Sequence, residues 1–224
     1  MSIAVAIDGP AGAGKSTIAR AAAHELGFIY VDTGALYRSI GLNALRNGID
    51  LADTKAIEDS LNGLKVELSF DDQGAQIVLL NGEDVSSLIR TPEVSMSASK
   101  VSAVPAVRAF LLDLQRNMAK TQSVIMDGRD IGTVVLPDAE VKIFLTASPE
   151  IRAKRRYDEL IEKGQDVKYE DVLADVIQRD YNDSHREIAP LKPADDSTLA
   201  DTSGLTLEES IDLIINIIKE NKHE

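Results

Sequence analysis

The stretch Gly9-Pro10-Ala11-Gly12-Ala13-Gly14-Lys15-Ser16-Thr17 decides the fold of this chain. It matches the phosphate-binding pattern Gly-x-x-x-x-Gly-Lys-Ser/Thr at every fixed position. Because glycine has no Cβ, the backbone turns sharply here and its successive N–H groups form a nest for an anion. Lys15 can reach the β- and γ-phosphates of a nucleotide, and the Ser16 hydroxyl is placed to ligate Mg²⁺. We therefore predict that these nine residues bind a polyphosphate.

The sequence on either side of this phosphate loop supplies the strand and the helix that the motif requires. Residues 3–7 are apolar and are typical of a buried parallel strand. After the loop, apolar residues recur at helical spacing as far as Leu26, and Gly27 predicts the end of the helix. The N-terminus of that helix adds its dipole to the anion site. The alternative is a glycine-rich turn that binds nothing, but such a turn needs neither the lysine nor the hydroxyl.

The composition is that of an ordinary globular protein with an acidic surface. The chain has 224 residues, of which 44% are hydrophobic and 27% are charged, and this suits one large domain with inserted pieces. It contains no cysteine, which excludes disulfides and thiolate metal sites. The net charge of −13 disfavours nonspecific binding to nucleic acids. We find no apolar run of membrane-spanning length and no secretory signal, so we expect a cytoplasmic protein, monomeric, without a nucleic-acid or membrane partner.

Strands and helices alternate along most of the chain. Apolar strands are predicted at 28–31, 123–127, 141–145 and 198–200, which indicates an α/β fold with a parallel sheet and ligands at the strand carboxyl ends. One β-rich patch interrupts this order. Residues 65–70 and 75–80 alternate apolar and polar side chains around a turn at 71–74, and Asn81-Gly82 begins another turn, so we interpret residues from about 60 to 100 as an insert.

Charged segments follow two of the predicted strands. In Asp32-Thr33-Gly34-Ala35-Leu36-Tyr37-Arg38, the arginine lies about one turn inside a helix, where it could reach back to a phosphate. The alternative is a helix capped by Thr33 with a solvated Arg38, and the sequence alone does not decide between them. In Asp127-Gly128-Arg129-Asp130, the first carboxylate can hold Mg²⁺ directly or through water, and Arg129 can bind a phosphate with two parallel hydrogen bonds. A surface turn is the alternative there.

Two helices near the carboxyl end carry arginines. A basic helix opens at Ser148 and ends at Gly164, and it offers Arg152, Arg155 and Arg156. A second helix, from about Tyr169 to Arg186, carries Arg179, Asp183 and Arg186 on one face. Its predicted buried residues are Val172, Leu173, Val176 and Ile177. Such charge runs are usually solvated, but phosphoryl transfer needs cations that surround the phosphates, and an arginine-lined lid would also exclude water.

Taken together, these motifs resemble those of the bacterial cytidylate kinases, in the nucleoside-monophosphate kinase group. The resemblance runs from about residue 3 to 218, and the β-rich insert is similar to the insert that marks this family. The motifs that carry it are Asp8 to Ser16, Asp32 to Arg38, Gly82-Glu83-Asp84-Val85-Ser86, Asp127-Gly128-Arg129-Asp130-Ile131-Gly132-Thr133, and Arg179-Asp180 through Arg186.

The resemblance implies a three-layer P-loop kinase fold with a five-stranded parallel sheet. It adds an inserted small antiparallel β-containing region that binds the nucleoside monophosphate, and a helical lid. The core would comprise residues 1–34, 103–148 and 187–224. The monophosphate-binding region would be 35–102, and the lid 149–186.

The resemblance also implies an activity, the transfer of the γ-phosphoryl group of ATP to CMP or dCMP, with Mg²⁺. ATP would bind the nine residues of the phosphate loop, and Ser16 and Asp127 would hold the metal. The residues implied in catalysis are Lys15, Asp127, Arg129, Arg155 and Arg156.

For the acceptor nucleotide, the family implies three groups of residues. Arg38, Arg129 and Arg179 would hold the phosphate, with Thr33 at a position where serine is frequent. Asp183 would hold the ribose. The cytosine would be surrounded by Ser99, Arg108, Asp130 and Arg186. Ser16 stands where some members have glycine, and both differences keep or add a hydroxyl.

Two other functions remain compatible with a phosphate loop. One is a P-loop kinase that acts on a different small molecule. The other is a nucleotide-dependent switch that regulates a partner, but a GTPase switch should show an Asn-Lys-x-Asp motif, which the sequence lacks.

Overall fold

The computed structural model describes residues 2–72 and 74–221. Its strands are β1 (Ala4–Asp8), β2 (Ile29–Asp32), β3 (Val66–Phe70), β4 (Gln76–Leu80), β5 (Glu83–Asp84), β6 (Val124–Gly128), β7 (Val141–Thr146) and β8 (Thr198–Asp201). Its α-helices are α1 (Lys15–Leu26), α2 (Thr33–Arg46), α3 (Thr54–Asp59), α4 (Pro92–Val101), α5 (Pro105–Met118), α6 (Pro149–Glu162), α7 (Tyr169–His185) and α8 (Leu207–Asn221). A 3₁₀-helix covers Leu88–Arg90 and a short π-helix covers Ile131–Val135.

The larger sheet has five strands in the spatial order β2, β6, β1, β7, β8. Register is visible in the parallel pair of β1 and β7, where Val5 lies opposite Val141 and Ile7 opposite Ile143. The predicted α/β fold with a parallel sheet is therefore confirmed, and the strand bounds differ from the predicted ones by about one residue.

The first compact unit comprises residues 3–28 and the described chain from 125 onward. In β1, Val5 and Ile7 are fully buried, which explains the apolar run before the phosphate loop. The loop leaves β1 at Gly9, whose φ is +150°, and a Cβ there would lie 1.9 Å from the carbonyl oxygen of Leu145. Only glycine fits that close approach, so the motif's first position is fixed by packing against β7.

Helices α6 and α7 of this unit pack on each other through a small apolar cluster. Ala153 and Leu160 of α6 contact Val172 of α7, and partly buried aromatic residues surround them. The prediction that Ile177 is buried was wrong, because 52% of this residue is exposed. The apolar cluster between the two helices includes Leu173 and Val176 of α7 but not Ile177.

The second compact unit comprises residues 29–124. Its antiparallel sheet has the order β3, β4, β5, and Leu68 of β3 lies opposite Val78 of β4. The predicted turn between β4 and β5 is present, and Asn81 and Gly82 both have positive φ, as a tight hairpin turn requires. Gln73, in the predicted turn at 71–74, lies outside the described residues. One face of the sheet joins a core that also contains residues of α2, α3 and α5.

Within residues 2–72 and 74–221, no helix combines the length and the apolar character needed to cross a membrane. The finer division into core, monophosphate-binding region and lid stays a prediction.

Candidate active site

The phosphate loop is closed around its own lysine. Lys15 is the first residue of α1 and is only 5% exposed. Its Nζ donates a hydrogen bond of 2.7 Å to the carbonyl oxygen of Pro10, across the loop. Gly12 and Gly14 have positive φ values of 75° and 89°, conformations that favour glycine. The loop and the N-terminus of α1 therefore form a concave anion site with an ammonium group inside it.

Keeping the buried Lys15 protonated costs free energy. Burial, together with the nearby guanidinium of Arg129, lowers the pKa of Lys15 well below its ordinary value, while the carboxylates of Asp127, Asp8 and Asp183 act in the opposite direction. A polyphosphate bound in the loop would add negative charge and favour the protonated lysine.

Ser16 and Asp127 are brought together, as the metal prediction requires. The Ser16 Oγ donates to Asp127 Oδ2 at 2.9 Å, and Asp127 is buried at the end of β6. A hydroxyl and a carboxylate are the hard oxygen ligands that Mg²⁺ prefers, so these residues fit the ion.

Asp8 is a member of the site to which the sequence analysis gave no role. Its Oδ1 accepts from Ile131 N at 2.8 Å and its Oδ2 accepts from Gly132 N at 2.7 Å, so it caps the π-helix that follows Asp130. Gly132 is packed between this carboxylate and the stem of Lys142. The available signal was a charged residue at the end of an otherwise apolar strand, directly before a phosphate loop.

Burial, reinforced by the negative charge of Asp130, raises the pKa of Asp8 from 3.8 to about 6, although the two backbone hydrogen bonds and Lys15 act against this rise. A carboxyl whose pKa is higher in the folded state contributes stability that is fully present below pH 3.8 and is lost as the pH rises through 6. Ionisation of Asp8 therefore lowers the stability of the folded state.

We expect the pH dependence of stability to differ between the wild type and Asp8→Asn. Between pH 4 and pH 7, the wild type should lose about 2 kcal/mol of unfolding free energy relative to the variant, because asparagine does not titrate. Urea unfolding of both proteins across this range measures the difference, in which the contributions of the other carboxylates cancel. Parallel curves would show that Asp8 does not titrate in this range.

The residues after β6 pair with α7. Arg129 Nε donates to Asp183 Oδ2 at 3.0 Å, and Arg186 lies 3.6 Å from Asp130. Asp130 and Asp183 are 4% and 8% exposed, so neither lies in a solvated turn or on a solvated helix face. Arg179 precedes Asp183 by one turn of α7. Four of the residues predicted to bind the acceptor nucleotide are thus adjacent in this unit.

The three arginines of α6 have different surroundings. Arg152 is 2% exposed, and its guanidinium donates to the carbonyl oxygens of Ala147 (2.8 Å) and Ala11 (3.0 Å) and pairs with Asp180. Arg152 therefore links the phosphate loop to α7. The sequence analysis missed this role because the two segments that Arg152 contacts lie far from it along the chain.

Of the other two, Arg155 faces the phosphate loop, with its NH1 3.5 Å from the carbonyl oxygen of Ala13 and its NH2 3.3 Å from that of Thr202. Arg156 pairs with Glu159 at 3.2 Å on the exposed side of the helix. Arg155 therefore contacts the phosphate loop, as Arg152 does, whereas the ion pair of Arg156 is with its own helix.

The remaining predicted site residues, Thr33, Arg38, Ser99 and Arg108, belong to the second unit. Arg38 NH2 donates to Asp32 Oδ2 at 2.6 Å, so Arg38 is paired rather than solvated. The residue that caps α2 is Asp32, whose Oδ1 accepts from Ala35 N at 3.0 Å, and the alternative of capping by Thr33 is wrong. Thr33 is instead buried as the first residue of the helix.

Arg108 and Ser99 come from consecutive helices of the same unit. The Arg108 guanidinium lies 5.6 Å from the ring centre of Tyr37, a cation–π distance, and its NH1 donates to the carbonyl oxygen of Ser102 at 3.3 Å. The Ser102 hydroxyl donates in turn to the carbonyl oxygen of Ser99 at 2.8 Å. These bonds link the end of α4 to the first turn of α5.

Comparison with known proteins finds cytidylate kinases that match nearly the whole chain. The model of the cytidylate kinase family matches residues 5–220. A cytidylate kinase of Carboxydothermus hydrogenoformans is 51% identical over 214 residues, covering 96% of each chain. One from Lactobacillus gasseri is 52% identical over 218 residues, covering 97% of this chain and 94% of the relative. The crystal structure of an uncharacterized protein from Eubacterium ventriosum has a TM-score of 0.52 at 12% identity, covers 97% of this chain and 99% of its own, and supports the fold alone.

Proposed function

This chain belongs to the cytidylate kinase family, and we propose that it transfers the γ-phosphoryl group of ATP to CMP. The observation that carries the proposal is the combination in one unit of a phosphate-loop lysine with the pairs Arg129–Asp183 and Arg186–Asp130. The first part suits a nucleoside triphosphate, and the second offers cations and carboxylates for a second nucleotide.

The reaction requires the protein to position the substrates and to neutralise negative charge, and it does not require a strong base. The phosphate of CMP is already anionic and nucleophilic, so no side chain has to remove a proton from it. Lys15 is proposed to neutralise negative charge on the transferred group, while Arg38, Arg129 and Arg179 hold the acceptor phosphate. Arg129 can serve two partners, since its Nε is used by Asp183 and a guanidinium has five donors.

The nucleoside part of the acceptor is proposed to be read by carboxylates. Asp183 would accept from the hydroxyls of the ribose, and Asp130 would accept from the amino group of cytosine, with Arg108, Arg186 and Ser99 as further contacts. Both carboxylates are buried beside an arginine, with Asp183 3.0 Å from Arg129 and Asp130 3.6 Å from Arg186.

Mg²⁺ is the expected companion of ATP in this reaction. Ser16 and Asp127 would hold it, directly or through water, and the ion would supply charge neutralisation between the phosphates. Use of dCMP as a second acceptor, the monomeric state and the cytoplasmic location remain predictions. Size-exclusion chromatography coupled to light scattering tests the monomeric state.

The two outer arginines of α6 should differ in their effect on turnover. We expect Arg155→Ala to lower kcat about 10²-fold and Arg156→Ala to change it by less than about threefold, because Arg155 contacts the phosphate loop and Arg156 pairs with Glu159 on the exposed side of the helix. Steady-state kinetics with saturating ATP and CMP provides the comparison, and each variant is the other's control. Equal losses would remove this assignment of roles.

A thermal-shift series tests the proposed function before any kinetics. ATP and CMP should each raise the unfolding midpoint, because a ligand that binds only the folded state stabilises it. GTP should raise it less, and shikimate should not raise it. A shift with shikimate and none with CMP would favour a different small-molecule kinase.

A further inference from the structure

Gln76, the first residue of β4, holds the backbone of Asp32 with both atoms of its amide. Its Oε1 accepts from Asp32 N at 2.9 Å, and its Nε2 donates to the Asp32 carbonyl oxygen at 3.2 Å. Asp32 is the last residue of β2, which is the outermost strand of the five-stranded sheet. The side-chain amide of Gln76 thus makes the two backbone hydrogen bonds that a neighbouring strand would make at one residue of the edge strand β2.

The residue that Gln76 holds is itself the support of Arg38. The Asp32 side chain caps α2 through Oδ1 and pairs with Arg38 through Oδ2 at 2.6 Å. Gly34 leaves room for this pair, since a Cβ there would lie 3.0 Å from Arg38 NH1 and 3.1 Å from Asp32 Oδ1. The direction of the Arg38 guanidinium therefore depends on where the Asp32 backbone lies.

Arg38 has a donor that remains unused. Its Nε is buried and has no hydrogen-bond partner among the described residues. A buried donor without an acceptor is costly, and an anion that reaches it would remove that cost. This is the arginine proposed above to hold the acceptor phosphate.

We propose that Gln76 is a positioning residue for the phosphate of the acceptor nucleotide, acting through Asp32 on Arg38. This inference rests on the proposed function and adds a role for the insert. The three-stranded sheet places Gln76 at the start of β4, and from there the insert fixes the geometry of a phosphate-binding arginine at the end of β2.

A second link between the insert and α2 provides a matched control. Glu83 of β5 receives two hydrogen bonds from Arg46 in the last turn of α2, at 2.6 and 2.9 Å. Like Gln76, it ties the three-stranded sheet to residues 29–46, but it does not contact Asp32. If Gln76 only attaches the insert, weakening either link should have the same kind of consequence.

The experiment compares Gln76→Leu with Glu83→Gln in steady-state kinetics. We expect Gln76→Leu to raise KM for CMP about tenfold, the effect of one or two lost hydrogen bonds, with KM for ATP changed less than twofold. Glu83→Gln should leave both KM values within twofold of the wild type. An unchanged KM for CMP in Gln76→Leu, or an equal rise in both variants, would overturn the proposal.

Gln76→Glu serves as a second variant should the leucine protein fail to fold. It keeps an acceptor for Asp32 N but sets a carboxylate oxygen against the Asp32 carbonyl, so KM for CMP should again rise at least fivefold while KM for ATP stays constant. A KM for CMP equal to that of the wild type would again overturn the proposal.

Amide hydrogen exchange separates a failure of this inference from a failure of the proposed function. If the wild type does not phosphorylate CMP, the proposed function fails, but the coupling of Gln76 to Asp32 and Arg38 can still be measured by NMR. In Gln76→Leu, the Asp32 amide should exchange about five- to tenfold faster and the Arg38 Nε–H resonance should shift, and neither should change in Glu83→Gln. Exchange and resonance identical to the wild type would refute the coupling itself.

Discussion

Lys15→Ala should lower kcat with ATP and CMP by about 10²–10³-fold, the effect of removing one donor that stabilises charge on the reacting group. The structure gives the reason, because this ammonium lies within the phosphate loop, bonded to Pro10, and is almost fully buried. No other lysine is present in the loop to replace it. Steady-state kinetics at saturating concentrations of both substrates measures the loss.

The matched control for this substitution is Lys154→Ala. Lys154 lies on α6 with an exposed side chain that pairs with Asp158, so the control removes the same ammonium group outside the site. Its kcat should stay within about twofold of the wild type, as is usual for exposed ion pairs. Full activity in Lys15→Ala, with a correctly folded protein, would end the proposed role of Lys15.

The choice of base gives the second large effect. Cytosine has an amino donor at C4 and acceptors at N3 and O2, whereas uracil has an acceptor at O4 and a proton on N3. A buried carboxylate at Asp130 can accept from the amino group but would face the O4 of uracil, and Arg186 would then face an N–H group. Unpaired buried groups give strong discrimination, so we expect kcat/KM to favour CMP over UMP by roughly 10² or more.

Asp130→Asn should reduce this preference, because an amide can turn its NH₂ group toward O4. The same change at Asp138, an exposed residue of the loop before β7, is the control and should leave the ratio unaltered. Kinetics of the three proteins on CMP and on UMP provides the ratios. If the ratio in Asp130→Asn equals that of the wild type, Asp130 does not read the base.

The features that the sequence predicted correctly are those governed by local patterns. The buried strand β1, the phosphate loop and the start of α1 follow from an apolar run, three glycines and a lysine, each of which acts within a few residues. The Asn81-Gly82 turn is similarly local, because its two residues tolerate positive φ. The adjacency of Ser16 and Asp127 could also be inferred, since parallel strands end at the same edge of the sheet.

The features that escaped prediction depend on partners far along the chain. The π-helix at Ile131–Val135 is capped by Asp8, which lies more than 120 residues earlier, and no local sequence pattern predicts this helix. Gln76 looks like an ordinary strand residue until its amide is seen on Asp32. The error at Ile177 has the same origin, because periodicity gives the apolar face of α7 but not how wide a stripe of that face α6 covers.

The measurement that tests the account most directly is ADP formation from ATP over a panel of acceptors, with CMP, dCMP, UMP, AMP and shikimate at equal concentration. We expect rapid ADP formation with CMP, an equal amount of CDP, and a rate with UMP, AMP or shikimate lower by roughly 10² or more. A rate with CMP no higher than the rate without acceptor, or a faster reaction with UMP, AMP or shikimate than with CMP, would contradict it.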